Sequence, residues 1–122
     1  MSRTVLIVED NERNLKLVRD VLGFAGFECL AARDAEAGIE LARARRPDVV
    51  LMDINLPGMT GFEALAALRA DARTAAIPVL AVTAYAMKDD RARILAAGFD
   101  GYLEKPVDVR ALPAQVEALV RR

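Results

Sequence analysis

The chain has 122 residues, 54% of them apolar and 29% charged. That is enough for one folded domain over residues 1–122 and too little for two, since an independent core takes about 100 residues. The apolar content, with only 5 prolines and 7 glycines, argues against disorder, and the formal charge of -1 left by 17 basic and 18 acidic side chains argues against a nucleic-acid module carried by a general positive field. With no histidine and a single cysteine, Cys29, histidine zinc sites, serine–histidine triads and intramolecular disulfides are excluded. No apolar run approaches the roughly 18 residues of a membrane span, so a soluble, reducing, cytoplasmic setting without membrane contact is expected.

Short β-branched or leucine-rich runs alternate with alanine-rich stretches of helical period, the pattern of repeated βα units around a parallel sheet, and five units are present. The first run, Thr4 to Val8, is apolar almost throughout, as a strand covered on both faces should be, and it ends in Glu9-Asp10. Asn11 is placed to cap a helix whose stripe is Val18, Val21, Leu22 and Ala25, stopped by Gly26. A weaker strand over residues 28–31 suits a sheet edge. Asp34 then caps a helix with Gly38, Leu41 and Ala42 inward, running up to Pro47.

The third strand, Val49 to Met52, terminates in Asp53, and Pro57-Gly58 and Gly61 mark an extended loop. Thr60 and Glu63 have capping-box spacing for a helix with Gly61, Leu65 and Leu68 on its inner face. After Pro78 the fourth strand, Val79 to Val82, ends in Thr83, and a less regular helix over residues 88–97 is closed by Gly98. A short fifth strand over residues 101–104 leads into Lys105-Pro106. The last helix is lined by Leu112, Val116, Leu119 and Val120, with Pro113 in its first turn. Cys29 reads as a small core residue, while Asn14 and Leu15 read either as a docking point for a phosphodonor or as ordinary helix positions.

In an open parallel sheet, ligands bind beyond the carboxyl ends of the strands. Those ends carry Glu9 and Asp10, Asp53, Thr83 and Lys105. Three carboxylates brought close together repel, and an all-oxygen donor set with neither histidine nor cysteine favours Mg2+. Magnesium commonly bridges carboxylates to a phosphate, which points to phosphoryl chemistry with Asp53 as the nucleophile. Glu9 and Asp10 would hold the metal, directly and through water; Lys105 would neutralise the transferring oxygens, and Thr83 would hydrogen-bond them. A phosphatase with an aspartate nucleophile would normally carry a second acid where this chain has Asn55. A flavin or nucleotide binder would want a glycine- or hydroxyl-rich loop in place of Glu9-Asp10-Asn11-Glu12.

The acidic pair, the LMDINLPGMTG segment around Asp53, the AVTA segment around Thr83 and the run Tyr102-Leu103-Glu104-Lys105-Pro106 occur in order. Together they resemble the receiver domain of two-component response regulators over residues 5–120, closest to the stand-alone, single-domain DivK type and to receivers attached to hybrid kinases. The resemblance implies a flavodoxin-like (CheY-like), doubly wound α/β fold with a five-stranded parallel sheet of order 2-1-3-4-5 and five helices. It implies Asp53 as phosphoacceptor, Mg2+ on Asp10, Asp53 and the Asn55 carbonyl with Glu9 acting through water, Lys105 paired with the phosphate, and a cis bond before Pro106. Thr83 and Tyr102 would form the switch, remodelling the face of helix four, strand five and helix five for a downstream protein. The phosphoryl donor would be a histidine kinase or a histidine phosphotransfer protein, since the chain has no histidine of its own. The chain would not be an enzyme beyond promoting its own phosphorylation and slow autodephosphorylation. Tyr85, leaning over the site, would screen the phosphate from water, while Asn55 offers no base to activate that water.

Overall fold

The computed structural model describes residues 3–84 and 88–120. Its elements alternate strictly: β1 Arg3–Val8, α1 Glu12–Phe24, β2 Phe27–Ala32, α2 Ala35–Arg45, β3 Val49–Asp53, α3 Gly61–Ala70, β4 Val79–Thr83, α4 Lys88–Ala96, β5 Gly101–Glu104 and α5 Leu112–Val120. All four strand pairings are parallel, and the sheet order is β2-β1-β3-β4-β5. β1, β3 and β4 are interior strands covered on both sides, which is why their sequences are continuous apolar runs. β2 lies at an edge and is more open.

Side chains in a strand alternate between faces, and residues paired across parallel strands point to the same side. Val5, Ile7, Val49, Leu51, Leu80, Val82 and Leu103 therefore form one inner surface, covered by Leu15, Val18 and Leu22 of α1 and Leu112, Val116 and Leu119 of α5. Leu6, Val8, Val50, Met52, Val79 and Ala81 form the other, under α2, α3 and α4. The domain thus has three layers, with a core on each side of the sheet.

Local signals place the helix ends. Asn11, Asp34 and Thr60 accept N–H bonds from residues three positions on. Thr60 and Glu63 complete a reciprocal capping box, with bonds of 3.1 and 3.2 Å. Packing redraws the helical stripes in detail. Leu15 is buried in α1 where Ala25 was expected to be, because Ala25 is the C-cap and the stripe starts one turn earlier. In α2 the buried set is Ala35, Gly38, Ile39 and Ala42, while Leu41 is half-buried. Val120 is likewise only partly buried. Cys29 is half-buried against the α1/α5 core, and burial pushes its thiol up. The bond between Lys105 and Pro106 is cis.

Candidate functional site

The strand alternation that sorts the core also builds the site. Val8 pairs with Met52 and Asp53 with Val82, and the Lys105 N–H continues the ladder to the Thr83 carbonyl at 2.8 Å. One step past the apolar rows, Glu9, Asp53 and Lys105 therefore stand side by side on the α1/α5 face of the sheet. The Lys105 Nζ lies 2.9 Å from Glu9 Oε1 and 3.0 Å from Asp53 Oδ2. Glu9 is 5% exposed and Asp53 3%. Asp10 is the more open member of the acidic group, and one carboxylate oxygen from each of Glu9, Asp10 and Asp53 lies within 4.8 Å of the others.

Backbone donors hold these carboxylates. The Asn55 N–H donates to Asp53 Oδ1 at 3.0 Å and the Asn11 N–H to Glu9 Oε2 at 3.3 Å. Burial pushes the Glu9 carboxyl up to about 7; its hydrogen bond with Asp53 adds to the rise and Lys105 opposes it. Burial acts on Asp53 in the same sense but is outweighed there. Hydrogen bonds with Glu9, with Lys105 and from the Asn55 N–H hold Asp53 below its ordinary value. Lys105 is raised: burial disfavours its charge, but both carboxylates favour it more. Three carboxylates facing one ammonium leave a surplus of negative charge, and an all-oxygen donor set of this kind fits Mg2+.

Thr83 is 2% exposed at the end of β4, next to Glu104 in register, while Tyr102 pairs with Ala81. Both therefore belong to the opposite face of the sheet, under α4, and Tyr102 is half-buried there. A cleft of about 360 Å³ runs from Asn55 and Thr83 past Thr60 and Phe62 to Arg93. Glu9, Asp10, Asp53 and Lys105 are thus brought together and Asn55 joins them through its N–H, whereas Tyr102 stands apart. Tyr85 lies outside the described residues.

Two supports of the site show their role only in the packed structure. Gly61 begins α3 so close to β3 that a Cβ there would meet the Asp53 carbonyl oxygen and the Ile54 Cα, each at 2.7 Å. Its N–H donates to the Ile54 carbonyl at 3.0 Å. Arg33, beyond β2, donates through Nη2 to the Asp10 carbonyl at 3.3 Å and steadies the loop after β1. The glycine marks a loop in the sequence, but only the approach of helix to strand shows why no side chain fits.

Residues 5–117 match the family model of the response regulator receiver domain. The polar-differentiation response regulator DivK of Brucella anthropi is 46% identical over 109 residues, 89% of each chain. Among solved structures, the chemotaxis protein CheY4 of Vibrio cholerae superposes with a TM-score of 0.91 at 29% identity, covering 98% of this chain and 99% of its own. The receiver domain of the sensor histidine kinase PA1611 from Pseudomonas aeruginosa covers 100% of both chains at 30% identity and a TM-score of 0.92, and it carries a magnesium ion coordinated in its active-site cleft. Likeness in sequence and in fold covers nearly the whole chain, which therefore belongs to the response regulator receiver domains of two-component signalling.

Proposed function

We propose that this receiver is a single-domain switch, spanning residues 1–122, in a cytoplasmic phosphorelay, and that Asp53 is its phosphoacceptor. The observation that carries the reading is the Lys105 ammonium 3.0 Å from the Asp53 carboxylate, beside two further acids in a cluster suited to a divalent cation. An Asp53 oxygen attacks the phosphorus of a phosphohistidine on a histidine kinase or histidine phosphotransfer protein; the P–O bond forms, the P–N bond breaks and the imidazole leaves. Asp10, Asp53 and the Asn55 carbonyl would hold Mg2+, with Glu9 acting through water. The cation would neutralise charge on the phosphoryl oxygens. Lys105 supplies the second positive charge, already in contact with the acceptor before the donor arrives. The Thr83 hydroxyl hydrogen-bonds the phosphoryl group, Tyr102 turns inward in response, and the surface of α4, β5 and α5 changes for a protein partner.

The test is phosphorylation by an acyl phosphate with Mg2+, followed by intact mass. One phosphoryl group should be gained, chelator should prevent the gain, and Asp53→Asn should abolish it. A hydroxylamine-sensitive adduct at another residue would overturn the assignment. No helix among the described residues is long and apolar enough to cross a membrane.

A further inference from the structure

β5 presents Tyr102 and Glu104 on the same face of the sheet as Thr83, because both alternate with Leu103 and pair with Ala81 and Thr83. α4 crosses that face, and one of its side chains reaches both residues. The Arg91 guanidinium carbon stands 5.7 Å from the centre of the Tyr102 ring, and Arg91 Nη2 donates to Glu104 Oε1 at 2.9 Å. The ring's negative face attracts the planar cation, and the carboxylate two residues along β5 fixes the cation's other edge above it.

Arg91 is not what fastens α4 to the sheet. Ile94, 2% exposed, is buried beneath the helix. Arg93 lies 4.9 Å from the Phe62 ring centre, and that ring meets Phe99 edge-on at 5.7 Å. Arg91 is left with a separate task, because its partners are the aromatic ring and the β5 carboxylate, both exposed to solvent in part.

We infer that Arg91 is a positioning residue for the switch: with Glu104 it clamps Tyr102 in the half-buried place that the ring occupies here. When the ring turns toward Thr83 it leaves the guanidinium with Glu104 alone, so the clamp biases the unphosphorylated protein against the switched state. This deepens the proposed function and rests on Tyr102 being the residue that moves.

The experiment follows the ring resonances of Tyr102 in a Tyr85→Phe background, where Tyr102 is the sole remaining tyrosine of the 2 in the chain. Spectra are recorded with and without Mg2+ and beryllofluoride, a phosphoryl mimic. In the free protein, Arg91→Ala should move the resonances part of the way toward their beryllofluoride-loaded position. The inward population should rise about two- to fivefold, the weight of one exposed cation–π contact. Beryllofluoride should bind more tightly by the same factor, since a scarcely populated competent state taxes affinity in proportion. Arg91→Lys keeps the charge without the planar fork and should fall between wild type and Arg91→Ala. Glu104→Gln should shift the ring in the same direction by less. Unmoved resonances and unchanged affinity in Arg91→Ala, with a normal wild-type response to beryllofluoride, would overturn the clamp alone. A wild-type ring that ignores beryllofluoride would remove Tyr102 from the switch and the clamp with it.

Discussion

Lys105 touches two carboxylates that differ sharply in proton affinity although both are nearly buried. Each meets one backbone N–H and Lys105; burial raises Glu9, and the hydrogen bond between the two carboxyls raises it further while lowering Asp53. With divalent metal removed by chelator, burial pushes the Glu9 carboxyl up to about 7 in the fold, from an ordinary 4.5. Between those values the folded state binds more protons than the unfolded one, so stability falls as pH rises. The Glu9 contribution is complete below about 4.5 and lost above about 7. Asp53 works in the opposite sense, but below 3.8 and so outside that window. The melting temperature of the chelated protein should therefore decline across this range, Glu9→Gln should flatten the decline, and saturating Mg2+ should remove it by taking the proton's place. A flat profile for the chelated wild type would mean that Glu9 is already ionised. Asp53→Asn removes one of the three carboxylates of the cluster, so its melting temperature should lose the response to added Mg2+.

Two elements depend on backbone geometry at a single position. α3 starts against the end of β3, and Gly61→Ala would drive a methyl group into the Asp53 carbonyl. The expected loss is about 1–3 kcal/mol in denaturant unfolding, together with weaker Mg2+ binding, because the displaced loop carries Asn55. At the end of α2, Arg46 adopts the left-handed conformation at φ 44° while exposed to solvent. Arg46→Gly should stabilise the chain by about 0.5–1 kcal/mol in the same assay, with phosphorylation unchanged. α4 shows how an element with a poor apolar stripe still attaches: one buried isoleucine is supplemented by Arg93 lying over the Phe62 ring of α3.

Across the whole molecule, the sheet separates the proposed chemistry from the proposed readout. Glu9, Asp53 and Lys105 lie on the α1/α5 face, while Thr83, Tyr102 and Glu104 lie on the α4 face. Under the proposed function, phosphorylation on one side would be transmitted around the strand ends, where Thr83 stands beside the site. Thr83→Ala should leave Asp53 able to accept a phosphoryl group while reducing the coupling to Tyr102 by about tenfold, an ordinary coupling free energy. The measurement is the beryllofluoride-induced displacement of the Tyr102 resonances. A full displacement in Thr83→Ala would place the link elsewhere.

Period-two alternation and the terminal residues of each strand were enough to bring Glu9, Asp53 and Lys105 into one row, because a parallel sheet converts register into adjacency. Caps at Asn11, Asp34 and Thr60 were equally legible, since each bond closes within three residues. What the tertiary structure decided is everything that depends on distant surroundings. The sequence contains no local mark for Gly61 pressing on β3, Arg33 reaching the loop after β1, or Arg91 lying over Tyr102. Nor does it say that Ile39 rather than Leu41 is buried in α2, or that the Glu9 carboxyl is raised while that of Asp53 is lowered. Proton affinity follows from burial and from donors brought in by other strands and loops, and helix rotation follows from which side chains fill the groove. Neither quantity belongs to a segment alone, so both appear only when the layers have packed.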